Sequence, residues 1–267
     1  MDNFIKFLGT AGARFVVSKQ LRSSGGLWIH YRGTSLHLDP GPGALVKALT
    51  SRPPCDPTAL QAVLLSHRHI DHANDLNIMV EAMTQGGTKK KGIAFLPADA
   101  LEGEPVLFSY LRESLEGIHF LQEGGRYHIG NIVFETPLRH THPVETYGFR
   151  FLFEEGYVSL ITDTLFQEEL FDAYQGSRIL IIHTVRLKKE NSMQLFHLSA
   201  EDARVLIETI RPELAVLTHF GMTMLQAKPW KVAEELAQKT GIKVLAASDG
   251  MNLPFDAKTG KEPGKNG

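Results

Sequence analysis

Apolar residues in this chain fall in short runs broken by Gly, Pro and charged positions. FIKFLG, GLWIHYRG, TSLHLD, ALQAVLLS, GIAFLP, IVFET, GFRFLFEE, YVSLIT, RILIIH, LAVLTHF and KVLAAS are rich in β-branched and aromatic residues and read as strands. Three stretches repeat their apolar positions at helical spacing instead: DHANDLNIMVEAMT, SAEDARVLIETIRP and KPWKVAEELAQKTG. The last two have marked boundaries. Ser199 stands three residues before Asp202, close to a capping box, and Pro212 and Gly241 lie at the exits.

The order is strand-rich at first, with helices inserted and βα units near the end, which predicts mixed sheets packed between helices. No repeat or long linker interrupts it. QGGTKKKG (85–92) is a polar break suited to a loop, and its lysines read as a solvated face. DAKTGKEPGKNG (256–267) has almost nothing to bury and reads as a flexible tail, which leaves one domain over 1–255.

Composition narrows the classes. The 267 residues are 43% hydrophobic and 22% charged, with net charge −2, which lacks the global basicity of nonspecific nucleic-acid binding. One cysteine, Cys55, excludes an internal disulfide framework and a cysteine-rich zinc module. No run approaches the roughly 20 apolar residues of a membrane span, so the chain reads as soluble and cytoplasmic.

Candidate chemistry concentrates in SHRHIDH (66–72), with three histidines and one aspartate in seven positions. It follows the strand LQAVLLS directly. In extended backbone His67 and His69 point to one side, and Asp71 and His72 fall at the turn into a helix. Four ligand-type side chains then share a small volume, enough for part of two metal sites. Further ligand types stand at other strand ends: His142 before PVETYGFRFLF, Asp163 after YVSLIT and His219 after LAVLT. Singly each has a structural alternative, as a helix cap, a turn residue or a satisfied core histidine. Their joint presence favours a metal centre.

At this point the sequence resembles the metallo-β-lactamase superfamily, whose signature is HxHxDH followed by a distant His, Asp and His. The resemblance runs from FLGTAG through LTHF and implies an α/β (α+β) fold, the four-layer αββα sandwich of two mixed sheets. It also implies two divalent ions, Zn2+ or else Mn2+. His67, His69 and His142 would hold one ion, Asp71, His72 and His219 the other, and Asp163 would bridge them.

Three segments look like the ribonuclease Z branch: FLGTAG, HPVETYGFRF and FHLSAEDARVLI. By that comparison His197 is catalytic rather than a ligand, and Asp71 serves the reaction as well as the metal. Two departures stand out. The interval from His142 to Asp163 is too short for the tRNA-gripping arm, and Thr184 occupies the place of a glutamate that orients the catalytic histidine. The short spacing resembles instead the cyclic phosphodiesterase of the carbon–phosphorus lyase pathway, although one cysteine cannot supply that family's separate structural zinc site. The resemblance therefore implies a hydrolase of small or cyclic phosphodiesters, using a metal-bridging hydroxide, with His197 giving a proton to the leaving group or steadying a phosphoryl oxygen. An RNA endonuclease is the alternative, and a thioester or lactam hydrolase a further one. A homodimer is common in the group.

The other histidines read as structural. His140 mimics an HxH pair with His142, while His30, His37, His119, His128 and His183 lie in or beside apolar strands. Asp39 could hydrogen-bond a ligand histidine or simply begin the turn of DPGPG; both readings stay open.

Overall fold

In the computed structural model, which describes residues 3–189 and 196–255, alternation along the strands decides the layers. RILIIH is apolar on both faces because both faces are covered. Ile179 and Ile181 enter the core between two sheets, and Leu180 and Ile182 meet helices outside.

The first sheet contains β1 (Phe4–Gly9), β2 (Ser24–Tyr31), β3 (Thr34–Leu38), β4 (Ala62–Leu64), β5 (Ile93–Leu96) and β6 (Gly117–Phe120). The second contains β7 (Gly125–Ile129), β8 (Ile132–Thr136), β9 (Phe149–Phe153), β10 (Gly156–Ile161), β11 (Ser177–His183), β12 (Leu214–Thr218) and β13 (Lys243–Ala246). The last strand, β14 (Asn252–Pro254), returns to pair with β1, giving two sheets of seven among the described residues. In each sheet, antiparallel pairs at one side give way to parallel pairs at the other, so both are mixed.

Nine helices flank them: α1 (Arg14–Ser18), α2 (Ala44–Thr50), α3 (Ile70–Ala73), α4 (Leu76–Met83), α5 (Ser109–Arg112), α6 (Glu169–Tyr174), α7 (Ala200–Ile210), α8 (Met222–Gln226) and α9 (Pro229–Thr240), counted among the described residues. Met79, Val80 and Met83 of α4 cover the outer face of the first sheet; Leu206 and Ile207 of α7 and Leu236 of α9 cover the second. This is the four-layer αββα sandwich of two mixed sheets. None of these helices is long and apolar enough to cross a membrane.

The capping box at α7 is complete. Ser199 Oγ accepts from the Asp202 N–H at 3.2 Å, and Asp202 Oδ2 accepts from the Ser199 N–H at 2.9 Å. Gly241 ends α9 with φ 69°. Elsewhere the expectations need correction. DHANDLNIMVEAMT is two helices, because the Asp75 N–H is taken by Pro40 O at 2.9 Å. β6, β7 and β14 lack a sequence signature. β6 and β7 are edge strands with few buried residues, and β14 is three residues long. The expected tail, 256–267, lies outside the described residues.

Parallel pairing puts the carboxyl ends of β3 and β4, and of β10, β11 and β12, at common ends of their sheets. Those ends carry the candidate site.

Candidate metal centre

Asp39 follows β3, His67 to His72 follow β4, Asp163 follows β10, His183 ends β11 and His219 follows β12. His142 comes from the loop after β8, and His197 stands before α7. The sandwich thus gathers residues that are far apart in sequence.

They form two main groups, and a third set, His142, Asp163 and His197, overlaps both with its ligand atoms also within 4.8 Å of one another. His67, His69 and His142 each offer a nitrogen within 4.8 Å of the others. His69 Nδ1 and His142 Nε2 are 3.1 Å apart. Two nitrogens about 2.0–2.1 Å from a tetrahedral ion stand about 3.3 Å apart, so this spacing suits a shared cation. The second group is His72, His183, His219 and Asp163. Asp71 Oδ2 approaches it, 3.7 Å from His72 Nε2 and 3.8 Å from His219 Nε2. Asp163 stands between the groups, with Oδ2 3.8 Å from His67 Nε2 and 3.5 Å from His72 Nε2. His197 Nε2 lies 3.3 Å from the same oxygen.

The hydrogen bonds behind these rings decide which nitrogen is free. Asp39 Oδ1 accepts from the Ser66 N–H at 2.6 Å, and Oδ2 accepts from Ser66 Oγ at 2.7 Å and His72 Nδ1 at 2.9 Å. With its proton directed to Asp39, Ser66 Oγ accepts from His67 Nδ1 at 2.9 Å. Phe196 O accepts from His142 Nδ1 at 3.0 Å. One carboxylate therefore directs the Nε2 lone pairs of His67 and His72 into the site. Those two atoms, with His219 Nε2, are buried without a hydrogen-bond partner. Buried polar atoms are rarely left so, and lone pairs converging beside carboxylates fit a divalent cation.

The electrostatics agree. Burial lowers His67 and His69, and brings His142 and His183 down to about 4, leaving neutral imidazoles able to ligate. Burial opposes charge on Asp163, yet His219 and His197 outweigh it and hold the carboxyl well below its usual range. Burial likewise opposes protonation of His72, but Asp71 and Asp39 raise it well above the ordinary value. An incoming cation would displace that proton.

Backbone strain marks two of these positions. Asp39 (φ 54°) and His219 (φ 59°) are left-handed non-glycine residues. FLGTAG explains how the second is held. Gly12 N–H donates to Phe220 O at 3.0 Å, Phe220 N–H donates to Thr10 O at 2.8 Å, and a Cβ on Gly12 would fall 2.2 Å from His219 O.

All of the expected residues, His67, His69, Asp71, His72, His142, Asp163, His197 and His219, are thus brought together. His183 corrects the reading of it as a structural histidine, since its Nδ1 lies 3.0 Å from Asp163 Oδ1 inside the second group. A signal was available: three successive apolar strands end at or within two residues of Asp163, His183 and His219. Asp39 does both things that its sequence left open, bending the chain into the Pro-Gly turn and holding His72. His140 is structural, bonded to Tyr174 OH at 2.8 Å and Thr162 Oγ1 at 3.0 Å. Thr184 is buried, and its Oγ1 donates to Ile182 O at 3.2 Å.

Fold and site together define a metal-dependent hydrolase of the metallo-β-lactamase fold. Residues 34–220 match the Beta-lactamase superfamily domain, and the chain belongs to that family. Protein MJ1374 of Methanocaldococcus jannaschii is 34% identical over 259 residues, covering 93% of this chain and 94% of its own. The metallo-β-lactamase fold protein YhfI from Bacillus subtilis superposes with TM-score 0.79 at 19% identity, covering 95% of this chain and 99% of its own. A diphosphatase from the PhnP family superposes with TM-score 0.70 at 19% identity, covering 95% and 98%.

Proposed function

We propose that the protein is a dinuclear phosphodiesterase acting on a small or cyclic phosphodiester. The observation that carries the reading is the setting of His197. Its side chain is 25% exposed where that of Asp163 beside it is 2% exposed, so it offers an imidazole on the open side of a buried ligand cluster. His67, His69 and His142 would hold one ion, and Asp71, His72 and His219 the other, with Asp163 shared. Divalent ions held there would lower the pKa of a bound water toward about 7 and neutralise charge on phosphoryl oxygens. His197 then places a proton at the departing oxygen, or steadies a phosphoryl oxygen, from the open side. Asp39 and Ser66 keep His67 and His72 in the ligating tautomer throughout.

A small substrate is favoured over a folded RNA because the loop 143–148, β9 and β10 fill the interval from His142 to Asp163, leaving no inserted arm. A diphosphatase among the proteins of similar fold is consistent with phosphoryl chemistry. Zn2+- or Mn2+-reconstituted protein is to be assayed against bis-p-nitrophenyl phosphate, 2′,3′-cyclic nucleotides, a diphosphate diester, a precursor tRNA, a thioester and a lactam. Turnover of the small phosphodiesters, lost in His197→Ala with metal retained, is the expected result. Turnover of the thioester or lactam alone, or an undiminished His197→Ala variant, overturns the proposal.

A further inference from the structure

His183 is absent from the ligand set that the superfamily signature implies, yet it stands inside the cluster. It ends β11, and the neighbouring parallel strands β10 and β12 deliver Asp163 and His219 from their own carboxyl ends. Its ring lies face to face with that of His219, centroids 4.2 Å apart and planes 14° from parallel. Its Nδ1 is 3.0 Å from Asp163 Oδ1. The two oxygens of Asp163 consequently have different surroundings. Oδ1 faces His183 and, at 3.3 Å, His219 Nε2. Oδ2 faces His67 Nε2 and His72 Nε2, one nitrogen from each histidine group, and His197 Nε2 at 3.3 Å on the more open side.

We propose that His183 is a positioning residue of the metal centre: it donates Nδ1–H to Asp163 Oδ1 and stacks on His219, so that Oδ2 is the oxygen presented between the two groups. The inference rests on the dinuclear reading above. An aspartate carboxylate turns easily about its terminal bond, where the torsional preference is broad and roughly two-fold. Left free, it could exchange its oxygens or turn both toward one ion. A donor fixed on Oδ1 removes that freedom, and the buried stack holds the donor in place. The same stack fixes the ring plane of His219, whose Nε2 has no hydrogen-bond partner. The competing role is His183 as a ligand in its own right, through its other ring nitrogen, in the group it forms with His72, Asp163 and His219.

Asparagine separates the two roles, because its amide N–H can take the place of Nδ1–H while the amide ligates zinc poorly. Metal-free wild type, His183→Asn and His183→Leu are to be titrated with Zn2+ by calorimetry, and their Mn2+-loaded forms compared by electron paramagnetic resonance. Wild type is expected to bind two equivalents with an exchange-coupled Mn2+ pair. His183→Leu should keep the first ion, bind the second about 10–100-fold more weakly and show uncoupled Mn2+. His183→Asn should recover the second ion and the coupling. If the leucine variant does not fold, the asparagine variant decides alone: a coupled pair supports positioning, and a single ion overturns it. A folded leucine variant equal to wild type in affinity and coupling also overturns it. Wild type that binds fewer than two equivalents overturns the dinuclear reading, and this inference with it.

Discussion

Replacing Asp39 by asparagine tests the centre without removing a ligand. The carboxylate accepts three hydrogen bonds, from Ser66 N–H, Ser66 Oγ and His72 Nδ1. In Asp39→Asn the amide oxygen can keep the shortest of these, the 2.6 Å bond from Ser66 N–H. Its NH2 then faces Ser66 Oγ and His72 Nδ1, and both must become acceptors. His72 can accept at Nδ1 only by carrying its proton on Nε2. Ser66, now accepting from the amide, turns its own proton toward His67 Nδ1 and drives the same tautomer switch there. One substitution thus closes two lone pairs to metal while leaving the buried bonds satisfied.

The size of the effect follows. Loss of an outer hydrogen-bond partner costs about 10–100-fold in metal affinity, or about 1.4–2.8 kcal/mol, and two affected ligands put Asp39→Asn at the upper end. Its fold should survive, since asparagine tolerates the left-handed backbone at φ 54°. Asp39→Ala should lose metal too, and also about 3–5 kcal/mol of stability, because the buried donors are left unpaired. Metal content after dialysis, titration of metal-free protein with Zn2+, and thermal melts with and without chelator read these effects separately. Wild type should melt lower in chelator, while Asp39→Asn should melt alike in both. An asparagine variant that bound Zn2+ as wild type does would refute the tautomer argument.

Two further outcomes are expected. Burial brings His37 down to about 4, so between about pH 6.5 and 4 the unfolded chain takes up a proton that the folded chain lacks. Stability should fall as pH falls through that window by up to about 3 kcal/mol, and His37→Gln, which keeps a donor for Gly25 O, should flatten the fall in chelator-containing urea titrations. Gly12→Ala forces a Cβ to within 2.2 Å of His219 O, so it should cost about 1–3 kcal/mol by the same titrations and weaken Zn2+ binding by moving the His219 loop.

The strands that carry the site were legible because each is buried on one or both faces and has the period to show it. The edges were not: β6 and β7 bury little, so nothing in their composition separates them from loops. The seven residues expected as ligands were legible for a different reason. Four of them share a short motif, and Asp163 and His219 stand at the ends of apolar runs; His142, expected at a strand end, lies instead in the loop between β8 and β9. What the sequence left open for Asp39, and missed for His183, is which of these residues each one holds. Asp39 is 33 positions from His72, and His183 is 20 positions from Asp163, so no local spacing links them.

The missing information is register. Once β3 is known to lie parallel to β4 with Leu38 opposite Leu64, Asp39 falls beside the start of SHRHIDH, and its bonds to Ser66 and His72 become available. Once β11 is known to lie between β10 and β12, with Ile182 opposite both Ile161 and Leu217, His183 must end beside Asp163 and His219. Thr184 shows the converse. The ribonuclease Z resemblance implies a glutamate at that position to orient His197, and this chain has a threonine there. Asp163, within 3.3 Å of His197 Nε2, is the carboxylate that remains beside that ring. The residues that hold the ligands were as present in the sequence as the ligands themselves, but only the pairing of strands gives them their partners.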